Sequence, residues 1–355
     1  MMGMSSDLGD NGSLHLPKED LNAMKRRTFL KASAASIASA ATASGLLTWS
    51  PRSYAATISK TYYITDGYIA QPDGTSVYFQ GYSQATGSLD VPALPMIVNQ
   101  GDTVTVTIVN TLSTTHSFVI DGLVNSGPIA AGKTVTVQFT PNTPGTYLFY
   151  DNQNAPYNRL MGLHGGFAVM PTGSTNELYS GSPTFVQQLV WIFNDIDPVW
   201  HAAVAKGTKP TTAYQPLYFT INGLSSRPPG AAGNGDPTID AMANPSTKLE
   251  GSIGDRTLVR MLNAGMGANS VHIHGNHWEF LTKNGQIRSD VWLKDVLYLD
   301  NNMGKIDAIY PFEAPPDAYP PVTTGRYPMH LHNEMTQTAG GGLYLFGAMT
   351  DVYFV

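Results

Sequence analysis

The chain reads as an all-β protein of two β-sandwich domains in series, and three observations carry that reading. Its 355 residues are 42% apolar and only 13% charged, the balance of a globular protein with a sizeable core. Glycine and proline are abundant, at 35 and 24 copies, so the chain turns often. Short runs of β-branched and aromatic residues alternate with polar ones at a spacing that suits a sandwich or barrel.

The elements follow in order. Lys25-Arg26-Arg27-Thr28-Phe29-Leu30-Lys31 precedes the Ala/Ser-rich run Ala32–Leu47 and a small-residue end at Ser53-Tyr54-Ala55. This resembles a twin-arginine export signal, with Arg26 and Arg27 as the pair and cleavage near Ala55 or Ala56. The apolar run is too short and too rich in Ser and Thr for a membrane span, so the expected location is periplasmic or secreted. Residues 1–56 are assigned to the signal and its extension, and the mature chain of about 300 residues suits two domains. These are placed at 57–171 and 172–355, the second including a linker.

In the first domain, strands are expected over Thr61–Ile64, Thr103–Val109, Thr134–Phe139 and Gly145–Tyr150, punctuated by Asn110, Gly132 and Pro144-Gly145. The layout returns in the second half. Gly101-Asp102-Thr103-Val104 is echoed by Gly254-Asp255-Arg256-Thr257-Leu258-Val259, and Val109-Asn110 by Leu262-Asn263. Duplication of one sandwich is the economical explanation. The segments Thr172–Gln188 and Ser225–Ser246 read as linker and long loop.

A net charge of -6 argues against a nucleic-acid or anionic-membrane partner, both of which need a basic field. Cysteine is absent, which removes disulfides, thiolate ligands and cysteine nucleophiles together. A metal site must then use His, Met, carboxylate, Tyr or water. A blue-copper centre, which takes its character from a copper–thiolate bond, is excluded.

Four of the nine histidines fall in two pairs, His272-Ile273-His274 and His330-Leu331-His332. Residues i and i+2 of a strand point to the same face, so each pair presents two imidazoles side by side. Imidazole suits copper, zinc, iron and nickel. His201, beside Trp200, reads as a surface or loop residue, and the 14 methionines are dispersed as core filler.

With Phe219-Thr220-Ile221-Asn222-Gly223, Trp292-Leu293-Lys294-Asp295-Val296 and Tyr327-Pro328-Met329 before the last pair, the chain resembles two-domain members of the multicopper oxidase and copper nitrite reductase family. The resemblance covers nearly the whole mature sequence. It implies two cupredoxin-like Greek-key β-sandwich domains with copper bound between them. Leu331 stands where the family has its blue-copper cysteine. In the first domain the family's His-x-His motifs fall on His116-Ser117-Phe118 and Tyr150-Asp151-Asn152. The resemblance implies that His116 and His272 correspond to type 2 copper ligands, and His274, His330 and His332 to part of the dinuclear type 3 shell. These five imidazoles are too few for an ordinary trinuclear cluster. One type 2-like copper, or at most two with help from Tyr150, Asp151 or Asn152, is the expectation.

His164, in Gly162-Leu163-His164-Gly165-Gly166, is weighed equally as a ligand or its support and as a structural residue, while His277 is expected to orient a ligand imidazole. Asp121 and Glu334 are the carboxylates nearest the motifs and the best proton-transfer candidates. The leading function is an exported copper-dependent oxidoreductase without the type 1 copper, served by a small-molecule substrate or a periplasmic redox or copper partner. The alternatives are a non-catalytic copper-binding protein or scaffold, and a zinc hydrolytic site. By the family resemblance, a homotrimer in which His116 of one chain meets His272 and His330 of the next is the favoured assembly.

Overall fold

The computed structural model of the protein describes residues 55–174, 176–226, 240–314 and 324–355. Arg26 and Arg27 of the expected signal lie outside them. The first sandwich contains β1 (Thr57–Ala70), β2 (Ser76–Ser83), β3 (Ala93–Asn99), β4 (Thr103–Asn110), β5 (Val119–Ile120), β6 (Val124–Asn125), β7 (Thr134–Phe139), β8 (Gly145–Tyr150) and β9 (His164–Met170). Its sheets have the orders β2-β1-β4-β7 and β3-β9-β8-β5-β6. A single helical turn, α1 (Tyr157–Leu160), links β8 to β9.

The second sandwich contains β10 (Gln187–Ile196), β11 (Tyr218–Ile221), β12 (Leu249–Gly251), β13 (Arg256–Asn263), β14 (Asn269–Ile273), β15 (Trp278–Lys283), β16 (Gln286–Lys294), β17 (Val296–Leu299), β18 (Lys305–Pro311), β19 (Gly325–Leu331), β20 (Thr338–Ala339), β21 (Leu343–Tyr344) and β22 (Met349–Phe354), with helix α2 (Pro198–Ala205) after β10. Its main sheets have the orders β11-β10-β13-β18-β15-β16 and β12-β22-β19-β14-β17. No helix among the described residues is long and apolar enough to cross a membrane.

Alternation builds the first core. Along β4 the inward residues Val104, Val106 and Ile108 are fully buried while the threonines between them are half-buried. They pack with Tyr62, Tyr82, Phe118, Phe149 and Phe167. Each such side chain contributes about 1.5–3 kcal/mol by leaving water. Phe118 and Phe149 approach to 5.2 Å between ring centroids. The second core is centred on Trp191, Trp278, Tyr310, Phe312 and Phe354.

The duplication suspected in the sequence is present in the pairing. β4 runs parallel to β1 and antiparallel to β7, and β13 runs parallel to β10 and antiparallel to β18. β9 ends at Met170 and β10 begins at Gln187.

Where the sandwiches meet, Gly166 leaves room for Val190, whose Cγ1 would lie 2.7 Å from a Cβ there. Beside it Arg260 is fully buried. Its guanidinium donates to Gln188 Oε1 at 2.9 Å and to Thr146 Oγ1 at 2.8 Å and lies 3.8 Å from Asp307 Oδ1. Asp307 in turn accepts from the Thr146 and Thr282 hydroxyls. Thr146 belongs to the first sandwich, so a buried charge network ties the two together.

Candidate metal centre

The histidine pairs converge because their strands are neighbours. β14 and β19 pair antiparallel with His272 directly opposite His330. The flanking Val271, Ile273, Met329 and Leu331 are buried in the second core, which sends the histidines to the opposite face. His274 stands just past the end of β14, followed by Gly275 at φ +85°. The Tyr310 hydroxyl secures this turn, donating to the His274 carbonyl at 3.0 Å and accepting from Asn276 N at 3.1 Å.

Four rings result in one cluster. His272 lies 4.4 Å from His274, 5.2 Å from His330 and 4.5 Å from His332, centroid to centroid. Ligand nitrogens of His272, His274 and His330 all fall within 4.8 Å of one another. His274 Nε2 and His330 Nε2 are 3.3 Å apart. Two nitrogens bonded at about 2.0–2.1 Å to one tetrahedral ion sit about 3.3 Å apart, so this pair is already at ligand spacing. His272, His274 and His330 are half-buried and His332 is exposed, which leaves one side open.

The cluster is prepared for a cation in two further ways. The Asp295 backbone carbonyl lies 3.2 Å from His272 Nδ1, so Nδ1 carries the proton and Nε2 is left as the donor atom. Burial, then repulsion from the neighbouring histidines, holds His272 and His274 below the usual imidazole range. Neutral imidazoles are the form that ligates. The donor set therefore fits a first-row transition metal.

The remaining sequence candidates stand apart from this quartet. His116 is buried in the first sandwich, with Nδ1 2.7 Å from Asp151 Oδ2 and Nε2 2.8 Å from the Thr114 hydroxyl. Both ring nitrogens are thus engaged within the chain. Asp151 is fully buried, and Ser117 Oγ bridges Asp151 Oδ1 and Asn152 Oδ1 at 2.7 and 2.8 Å. Tyr150 donates to Asp121 at 2.9 Å. Burial and that hydrogen bond push its pKa up to about 12, so it is a phenol at neutral pH.

His164 is fully buried, with Nδ1 2.8 Å from the Arg159 carbonyl. His277 is exposed, and no hydrogen bond among the described residues joins it to the quartet, so it does not orient a ligand there. His201 is the clearest difference from the sequence reading. Asp197 caps α2 by accepting from Val199 N and Trp200 N, and the helix buries His201 against Phe79, 4.7 Å between centroids. Glu334 is exposed, in a short 3-10 turn spanning Glu334–Gln337. Thr114, Asn158, the Asp295 carbonyl and Tyr310 were not foreseen as site residues. Asp295 falls in the Trp292–Val296 motif, the one available signal.

A family model described as a cupredoxin-like domain matches residues 94–159. No match was found among curated proteins. Among solved structures, the chain is similar to a multicopper oxidase, mgLAC, at 20% identity over 84% of this chain and 86% of that one, with a TM-score of 0.64. It is similar to a blue copper oxidase from Nitrosomonas europaea at 19% identity over 83% and 85%, TM-score 0.65. A copper nitrite reductase from Nitrosomonas europaea aligns at 17% identity over 84% and 94%, TM-score 0.59. The protein therefore has a cupredoxin-like fold of the kind shared by multicopper oxidases and copper nitrite reductases. Within that fold it carries the His272/His274/His330/His332 cluster and no cysteine.

Proposed function

We propose that this is an exported copper-binding oxidoreductase without a type 1 copper, acting at a single type 2-like site on the second sandwich. The convergence of His272, His274 and His330 at ligand spacing carries the reading, and the fold's likeness to copper oxidases and a copper nitrite reductase supports it. His272, His274 and His330 hold the ion, with His332 at the open rim. Copper bound there supplies one-electron redox chemistry. The chain's own part is to keep the imidazoles neutral, to orient His272 through the Asp295 carbonyl, and to leave one side open to a small substrate. With no cysteine in the chain, electrons arrive from the substrate or from a redox partner rather than through a built-in blue copper. A homotrimer is the proposed assembly.

The test is metal content after copper loading and desalting. One copper per chain in the native protein and none in His274→Ala/His330→Ala supports the site. Equal copper in both places the metal elsewhere. Stoichiometric copper without turnover of any reductant would favour the second reading, a copper-binding protein without catalysis. That reading draws on the absence of cysteine and on His116, whose two ring nitrogens are engaged within the chain.

A further inference from the structure

The first sandwich contains a second constellation that the copper site does not use. Asp151 is fully buried and accepts four hydrogen bonds: from His116 Nδ1 at 2.7 Å, Asn158 Nδ2 at 2.8 Å, Ser117 Oγ at 2.7 Å and Gln153 N at 2.8 Å. A carboxylate that only accepts fixes the His116 tautomer, since Nδ1 must carry the proton. His116 Nε2 is then a lone pair, and the Thr114 hydroxyl 2.8 Å away donates to it. The loop carrying Thr114 is itself clamped. Fully buried Asn110 donates through Nδ2 to the Thr114 carbonyl at 2.7 Å and to the Ile129 carbonyl at 2.9 Å.

Hydroxyl, imidazole and carboxylate thus stand in hydrogen-bonded series, the arrangement by which a weak nucleophile is activated by a base that a third group orients. A buried histidine seeking only to satisfy its nitrogens would not require its hydroxyl partner to be accessible. Thr114 is exposed. It lines a cleft of about 260 Å³ together with Gln80, Asn154, Tyr157, Asn158 and Lys209. That volume suits a small molecule. Lys209 and Asn154 line the same space.

We propose that Thr114, His116 and Asp151 form a nucleophile, base and orienting acid that cleave small acyl esters in this cleft. Thr114 Oγ bonds to the acyl carbon as its proton passes to His116 Nε2. The ester C–O bond then breaks, and the leaving alkoxide takes that proton. Water attacks the acyl-threonine, its proton going to His116 Nε2 and then to Thr114 Oγ as the acyl–oxygen bond breaks. The products are one acid and one alcohol. Asp151 holds the imidazole in the working tautomer throughout.

The test uses the full chain in the presence of a chelator, with p-nitrophenyl acetate as substrate and a fluorophosphonate as covalent probe. The expected result is a probe adduct on Thr114 by peptide mass spectrometry. Hydrolysis should fall at least about 100-fold in Thr114→Val and Asp151→Asn and persist in Thr114→Ser. Because Thr114 is exposed, Thr114→Val remains folded even if Asp151→Asn does not. Ester hydrolysis at the same rate in the chelated and the copper-loaded native chain separates this site from the copper centre. No adduct on Thr114 with unchanged hydrolysis in Thr114→Val would overturn the proposal.

Discussion

Lowering the pH from 7 to 5 should destabilise the protein through two buried histidines that belong to no proposed site. Burial depresses the pKa of both His164 and His201 from 6.5 to about 4. For His164 the nearby Arg159 charge acts in the same direction, while for each ring a backbone carbonyl hydrogen bond opposes it. In the folded state each group's pKa lies below its unfolded value, so between the two values the unfolded chain binds more protons. The stabilisation is complete above the unfolded pKa and is lost as the pH falls toward the folded one. From pH 7 to pH 5 the linkage relation gives roughly 2 kcal/mol for each group, or roughly 4 kcal/mol for both. Urea unfolding followed by tryptophan fluorescence should then show a midpoint lower by about 1–2 M at pH 5, taking an m-value of about 2–3 kcal/mol/M. His164→Gln should remove about half of the dependence. A midpoint unchanged between the two pH values, or an undiminished slope in His164→Gln, would show that these rings are not held neutral by burial.

Three further outcomes follow from the same contacts. Asp307→Ala leaves the Arg260 guanidinium buried without its carboxylate and should cost about 3–5 kcal/mol, read as a fall in the urea midpoint. Tyr310→Phe removes the hydroxyl that holds the His274 turn; copper should bind at least about tenfold more weakly by competition with a chromophoric chelator, with little change in thermal stability. Gly275→Ala should weaken copper further, because the site has φ +85° and a Cβ there would meet the Tyr310 hydroxyl at 2.8 Å; an unchanged copper affinity would mean that the turn does not position His274.

Strands with one buried face were the easiest part of the structure to read from sequence. β7 and β8 coincide with the runs expected at Thr134–Phe139 and Gly145–Tyr150, because alternation leaves a strand only one register that buries its apolar side. The histidine pairs were legible for the same reason, period-2 spacing on strands whose intervening residues are apolar. Partners distant in the chain were harder. Nothing local links His116 to Asp151, which pack together only because β8 lies beside β5. His201 was misread through a missed helix start, since Asp197 followed by Pro198 is an N-cap with proline in the first turn. His277 was expected to support a ligand, but the turn at Gly275 carries it out to solvent.

The most direct test of the copper reading is electron paramagnetic resonance of the copper-loaded protein beside its His272→Ala/His330→Ala variant. A stoichiometric type 2 signal, with hyperfine structure from at least three imidazole nitrogens and lost in the variant, is the predicted result. A signal that survives the double substitution, or no tight copper in the native protein, would contradict the assignment of the quartet as the metal centre.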